Sequence, residues 1–232
     1  MAQKHKRWGA PMIHTVAKRE GLVKNHKRTD RIYYMVLKLS LRKRSRKKMK
    51  SAPRVPLAAP TRINQCWTMD FVHDTLRSSR KLKNLNILDE YTRECLRIES
   101  DSSIGGVRVV RVLEMMKELR GLPESIRLDN GPEFTSKAMD KWAYDNGVKL
   151  SFIAPGKPTQ NAFIESFNGK FREGCLNENW FDTMDEAREA IEAWRNEYNS
   201  FRPHSSLGNL TPQEFAAKAG GEVEFSNLTL VQ

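Results

Sequence analysis

The sharpest periodicity in the chain begins after the breakers Pro155, Gly156 and Pro158. Proline has no backbone N–H to donate and glycine holds no fixed conformation, so regular structure stops there. Thr159 or Asn161 then offers a side-chain oxygen to cap a new helix. Within it Phe163, Ile164, Phe167 and Phe171 recur at helical spacing and make one apolar face. Asn161, Glu165, Asn168 and Arg172 recur at the same spacing and make a polar one. Upstream, apolar runs with strand character cover residues 65–73, 82–89 and 95–99, with Asp89 to Arg93 as a turn between the last two. Residues 107–119 read as a helix with Val109, Val112, Leu113, Met116 and Leu119 inward. A fourth strand over 125–129 ends on an Asn130-Gly131 turn. A helix over 136–146, ended by Gly147, and a fifth strand over 148–154 follow. Thr183 and Glu186 form a capping box that opens a helix with Ala187, Ala190, Ile191, Trp194 and Tyr198 as its stripe. Three strands followed by alternating helices and strands predict an α/β fold built on a mixed sheet.

The first fifty residues read differently. Met12, Ile13, Val16 and Ala17 are spaced for one short helix, and Gly21 punctuates. Asn25 can cap a second helix with Ile32, Tyr33 and Val36 inward and Lys27, Arg28 and Arg31 outward. Two helices around a turn can present such cations to phosphates or base edges, or be an ordinary helical hairpin. Residues 41–50, LRKRSRKKMK, are a block of like charge. Pro53, Pro56 and Pro60 mark residues 51–61 as a linker.

Charge sharpens this division. The net charge is +12, yet residues 1–54 carry 18 Lys and Arg against only Glu20 and Asp30. The remainder carries 22 basic and 26 acidic residues, so the whole excess is N-terminal. A polyanion-binding segment of 1–50 joined to a nearly neutral body of 62–219, with a tail of 220–232, is the expected organisation. A hydrophobic share of 39% suffices for a core. No apolar run approaches the roughly 18–20 residues of a membrane span, and MAQKHKRWGA has no apolar signal region. Cys66, Cys95 and Cys175 are far apart, without a CxxC pair, which suits a reducing compartment and argues against a disulfide framework or zinc site. A cytoplasmic, nucleoid-associated protein without membrane partners is expected.

Three carboxylates stand out. Asp70 interrupts the apolar run Cys66 to Val72, where a charge is costly unless paired or bound to metal. Asp129 lies at a strand end, where a side chain can face a cleft. Glu165 sits on the helix described above. A lone glutamate there is ordinarily a solvated one. Two strand aspartates and a helix glutamate together supply three hard oxygen ligands on rigid elements, suited to a pair of Mg²⁺ ions.

Thirty-five residues separate Asp129 from Glu165. With Trp67-Thr68-Met69-Asp70-Phe71, the DNGPEF turn from Asp129, the GKPTQNAFIESFNG block from Gly156, and Tyr198-Asn199 through Arg202-Pro203-His204, the sequence resembles the DDE transposases of bacterial insertion sequences. These belong to the retroviral-integrase superfamily, and the likeness is to the second-frame (OrfB-type) product of two-frame elements. The resemblance implies a ribonuclease-H-like mixed sheet flanked by helices, preceded by a small basic helix-turn-helix segment. It implies metal-dependent DNA cleavage and strand transfer, with Asp70 bridging two Mg²⁺ ions and Asp129 and Glu165 each holding one. Mn²⁺ is the expected substitute. Water and then a DNA 3′-hydroxyl attack, so no protein nucleophile is needed. Glu133 follows Asp129 closely but is not one of the family's three ligands. His73 has no role in this chemistry. Lys27, Arg28, Arg31, Lys157, Asn161, Asn168, Lys170 and Arg172 are the candidate DNA contacts; Asn161 and Asn168 can alternatively orient Glu165. The implied partners are double-stranded DNA at the element ends and target, further copies of the chain, and an upstream-frame protein as fusion or partner. The rival readings are a hydrolysis-only ribonuclease-H-like nuclease and a non-enzymatic DNA-binding regulator.

Overall fold

The alternation over 65–73 is realised as strand β1, Cys66–Thr75, at the centre of a five-stranded sheet. The structure, a computed structural model, describes residues 1–41, 59–153 and 161–220. Residues 42–50 of the basic block, 51–58 of the linker, Lys157, the Thr159 cap and residues 221–232 lie outside the described residues. The chain divides into two compact units, Met1–Ala58 and Ala59–Gln232.

In the first unit, α1 (Ala10–Arg19) buries Ile13, Val16 and Ala17 as its spacing predicts. α2 (His26–Asp30) is capped by the Asn25 side chain, which accepts from the Lys27 N–H. It then widens into a π-helical turn, Arg31–Val36. Ile32 and Val36, expected inward, are exposed, and Tyr33 alone is buried. A wider turn rotates each residue by less than an α-turn does, so the i, i+4 spacing no longer keeps one face. The Tyr33 hydroxyl donates to the Trp8 carbonyl at 3.2 Å.

In the second unit β2 (Lys81–Asp89) pairs antiparallel with β1, and β3 (Cys95–Asp101) pairs antiparallel with β2. After α3 (Gly106–Arg120), β4 (Ser125–Leu128) returns parallel to β1. After α4 (Lys137–Asn146), β5 (Lys149–Phe152) adds parallel at the edge, giving the order β3-β2-β1-β4-β5. The β1–β2 register sets Asp70 opposite Asn86 and Phe71 opposite Leu85. Because side chains alternate along a strand, this assigns each residue a face. Trp67, Met69, Leu85 and Ile87 pack on one face with Val109, Val112, Leu113 and Met116 of α3 and Met139 and Trp142 of α4. Val72, Leu82, Leu88 and Ile98 pack on the other with Ile164, Phe167 and Phe171 of α5 (Ala162–Gly174) and Ala187, Ile191 and Tyr198 of α6 (Met184–Ser200). Three buried free thiols, Cys66, Cys95 and Cys175, belong to these layers.

Two details depart from the expected pattern. Leu119 is exposed, because ten residues beyond Val109 it has rotated off the stripe. A last helix, α7 (Pro212–Gly220), was not expected. Its signal is nonetheless in the chain: Thr211 and Glu214 form a reciprocal capping box, Glu214 N–H to Thr211 Oγ1 at 3.1 Å and Thr211 N–H to Glu214 Oε2 at 2.7 Å.

α3 begins hard against the loop that follows Asp129. A Cβ on Gly106 would stand 2.7 Å from Ser136 Cβ and 2.9 Å from the Glu133 carbonyl oxygen. Neither neighbour is the far end of a flexible side chain. Gly106→Ala therefore forces loop or helix to move, which outweighs the roughly 1 kcal/mol that Ala gains over Gly in a helix. The substitution is expected to destabilise the protein by about 1–3 kcal/mol in denaturant titration; an unchanged or raised midpoint contradicts this packing.

Candidate active site

The geometry begins with register. Thr68 of β1 pairs with Arg127 of β4, the last pair of the two strands; Asp70 and Asp129 each follow two residues later, and the charge of Asp129 is felt at Asp70. α5 covers the face of β1 that carries Asp70 and Val72. Asp129 lies just past β4, and its Oδ1 accepts from the Gly131 N–H at 2.9 Å. A Cβ on Gly131 would sit 2.9 Å from that same oxygen, so the glycine lets the turn fold back on the aspartate.

α5 runs along β1 and is clamped to it by its polar face. The Thr68 hydroxyl donates to Asn161 Oδ1 at 3.1 Å. Asn168 Nδ2 donates to Asp70 Oδ2 at 2.7 Å. Arg172 Nη2 donates to the His73 carbonyl at 3.2 Å. Glu165 lies between Asn161 and Asn168, exposed, in the first turn of α5. Asn86, cross-strand from Asp70, donates to Asn168 Oδ1 at 2.7 Å and so fixes which way the Asn168 amide points. The Asp70 carboxylate is thereby held at both oxygens, since Oδ1 accepts from the Phe71 N–H at 2.8 Å.

Electrostatics link the three carboxylates. Burial, with the charges of Asp129 and Glu165 adding to it, pushes Asp70 up to about 6 despite its hydrogen bonds. Among the described residues no three His, Cys, Asp or Glu side chains are close enough together to hold one ion. An arrangement in which Asp70 is shared and Asp129 and Glu165 serve one ion each does not require three around one. The donor set consists of hard carboxylate oxygens, which suits Mg²⁺ or Mn²⁺.

The other expected residues are placed as follows. Lys27, Arg28 and Arg31 are exposed in the first unit. Lys157 is outside the described residues. Asn161, Asn168 and Arg172, expected at DNA, bond to β1, and Asn168 orients Asp70. Lys170 is half-buried, on the flank of α5 away from this face, and donates to Ser166 Oγ at 2.9 Å. Glu133 is ion-paired with Lys83, whose ammonium lies 4.0 Å over the Phe71 ring. Burial raises Glu133, but the Lys83 bond and charge outweigh it and hold the carboxyl below its usual range. Lys83 belongs to the α3–α4 face, so Glu133 points away from Asp70. Sequence reading missed Thr68 and Asn86. Asn86 had a faint signal: with Asn84 it alternates as an amide among Leu82, Leu85, Ile87 and Leu88.

Asn168→Asp tests the contact with Asp70. It keeps the shape and the acceptor for Asn86 but sets a second carboxylate against Asp70. Like charge raises the proton affinity of the pair in the folded state only. Stability is then present while the shared proton is held and is lost as pH rises through the raised pKa, by about 1.4 kcal/mol for each unit of that rise. In metal-free buffer the variant is expected to melt well below wild type at pH 8 and to approach it at pH 5. Equal destabilisation at both pH values contradicts the contact.

Comparison with known proteins agrees with this architecture. Two models of the integrase core domain match residues 60–158 and 146–212. The chain is 48% identical over 218 residues to an uncharacterized 31.7 kDa protein of insertion element IS407 from Burkholderia multivorans, covering 94% of this chain and 78% of that protein. It is 45% identical over 217 residues to a 39.2 kDa protein of insertion element IS476 from Xanthomonas euvesicatoria, covering 94% of this chain and 62% of that one. Among solved structures it shares the fold of a simian T-cell lymphotropic virus intasome chain (TM-score 0.62, 14% identity, 97% of this chain and 78% of that chain). It likewise shares the fold of the HTLV-2 integrase catalytic core in complex with magnesium (TM-score 0.52, 17% identity, 67% and 97%). The mixed sheet with helices on both faces is thus ribonuclease-H-like, and the chain belongs to the insertion-sequence DDE transposases of the integrase-core superfamily.

Proposed function

We propose that this chain cuts DNA at the ends of its insertion sequence and joins the freed 3′ ends to a target strand, using Asp70, Asp129 and Glu165. The observation that carries the reading is that the helix presenting Glu165 is bonded to Asp70 through Asn168, with the charges of Asp129 and Glu165 both felt at Asp70. Strand cleavage and strand transfer are both in-line displacements at phosphorus, with charge growing on the attacking and leaving oxygens. Divalent ions held by the three carboxylates, two by this reading and Mg²⁺ or Mn²⁺ by chemistry, supply Lewis-acid stabilisation of those oxygens. The chain's own part is to hold the ligands rigidly. Asn168 and the Phe71 N–H fix both oxygens of Asp70, the Gly131 N–H fixes Asp129, and the clamp on β1 fixes the helix carrying Glu165. Burial first, then the charges of Asp129 and Glu165, raise the proton affinity of Asp70, and a cation there would offset both.

The exposed Lys27, Arg28 and Arg31, with the basic excess of residues 1–54, support a DNA-binding role for the first unit in the manner of a helix-turn-helix. Double-stranded DNA at element ends and target is the proposed substrate, and the cytoplasm, with its nucleoid, is where the chain meets it. The likeness to an intasome chain and to an integrase core described in trimeric and dimeric forms supports assembly of several copies on DNA. An upstream-frame protein, as fusion or partner, completes the proposed assembly. Among the described residues no helix is long and apolar enough to cross a membrane.

The test is plasmid nicking and joining by the purified chain with Mg²⁺ or Mn²⁺, repeated on the upstream-frame fusion. Glu165→Gln is expected to lower both activities by about 10²-fold or more while leaving metal-free DNA binding intact. Nicking without joined products points to the hydrolysis-only nuclease. Full activity in the variant overturns the role of Glu165, and DNA binding without any metal-dependent cleavage in either protein points to the regulator.

A further inference from the structure

Strand β2 is apolar through Leu82, Leu85, Ile87 and Leu88, yet Lys83 stands among them with its side chain only 15% exposed. It pairs with His73 of β1, so it lies on the face away from the Asp70 carboxylate. Its ammonium makes three contacts there. It is ion-paired with Glu133 of the loop after Asp129. It donates to the Ile104 carbonyl, just before α3, at 3.2 Å. It lies 4.0 Å over the Phe71 ring. Phe71 in turn stacks on Phe134 at 5.0 Å, with the two planes 20° apart. One lysine therefore joins β1, the entry of α3 and the Asp129 loop behind the sheet.

These contacts fall where the backbone ladder stops. The β1–β4 pairing ends at Thr68 and Arg127, two residues short of Asp70 and of Asp129. Phe71 follows Asp70 directly, and its N–H is the donor to Asp70 Oδ1. Phe134, fully buried, donates its N–H to the Gly131 carbonyl at 3.0 Å, and Gly131 donates its own to Asp129 Oδ1. Each carboxylate is thus one or two hydrogen bonds from a residue whose ring belongs to the cluster. The first turn of α3 closes the other side of the loop, where Gly106 leaves room for the Glu133 carbonyl. A partly desolvated ion pair is a weak source of stability, because taking two charges out of water offsets much of their attraction. It is nonetheless directional, and here Lys83 is fixed further by a carbonyl and a ring.

We propose that Lys83 and Glu133 are positioning residues: their ion pair fixes the loop that presents Asp129 against the strand that presents Asp70, and so sets how far apart the two carboxylates stand. Neither side chain touches DNA, ion or reacting phosphate. They act through Phe71 and Phe134 on the backbone beside each ligand. Outer contacts that orient metal ligands are typically worth about 10–100-fold in metal affinity or activity. The inference rests on Asp70 and Asp129 being ligands, as proposed above.

The test compares the full chain with Glu133→Gln, Lys83→Met and the double variant, each at a temperature where circular dichroism shows it folded. Mn²⁺ uptake is followed by electron paramagnetic resonance, and plasmid nicking in Mn²⁺ over a range of DNA concentrations gives kcat and KM. Each single variant is expected to bind Mn²⁺ about tenfold more weakly and to lose about tenfold or more in kcat, with KM for DNA unchanged. The double variant is expected to lose no more than the worse single one, since the pair acts as a unit. Wild-type uptake and kcat in Glu133→Gln, which keeps the shape of the side chain, overturn the inference by themselves, even if its melting point falls. So do losses that add in the double variant, or a raised KM with unchanged kcat, which puts the pair at the DNA. In each of these cases the proposed function stands. Uptake alone decides where the chain nicks too slowly to measure. A wild-type chain that takes up no Mn²⁺ overturns the proposed three-carboxylate site and this inference with it.

Discussion

The position of α5 on β1 decides whether this fold has a site at all. Asn161, Asn168 and Arg172 bond in turn to Thr68, Asp70 and the His73 carbonyl, so one helix face follows one strand. Each is a modest interaction, about 1 kcal/mol net for a neutral pair and more where the acceptor is charged. Their value is geometric. They stop the helix from sliding or rolling on an apolar contact of Ile164, Phe167 and Phe171, which by itself is indifferent to small shifts. Glu165 is held at one height above Asp70 as a consequence.

The same helix decides the electrostatics of the site. Burial under it first, then the charges of Asp129 and Glu165, push Asp70 up to about 6. A cation at that carboxylate would offset both causes, so the features that raise its proton affinity also favour a cation there.

Much of this was legible in the chain. Strand alternation around Asp70, the Asn130-Gly131 turn and the apolar spacing of α5 need only local rules, and the structure places those elements as expected. What failed was of two kinds. Ile32, Val36 and Leu119 were assigned inward by a fixed helical period, which a π-turn and ten residues of rotation defeat. Asn161, Asn168 and Arg172 were read as a polar helix face for DNA or, for the two amides, for Glu165, and their bonds to β1 were not foreseen. Their partners are 93, 98 and 99 residues away, and no local pattern encodes such a contact. Thr68 was invisible for the same reason, and Asn86 showed only as one of two alternating amides. Helix α7 was overlooked although Thr211-Pro212-Gln213-Glu214 is a capping signal of the same type that located α6.

The central claim is that Asp70, Asp129 and Glu165 act as one cation site. Titration of the purified chain with Mn²⁺, followed by the loss of the free-ion signal in electron paramagnetic resonance, tests it most directly. Wild type is expected to take up Mn²⁺, and Asp70→Asn, Asp129→Asn and Glu165→Gln each to weaken that uptake, Asp70→Asn most if its carboxylate is shared as proposed. Uptake that is the same in wild type and in all three variants contradicts the claim.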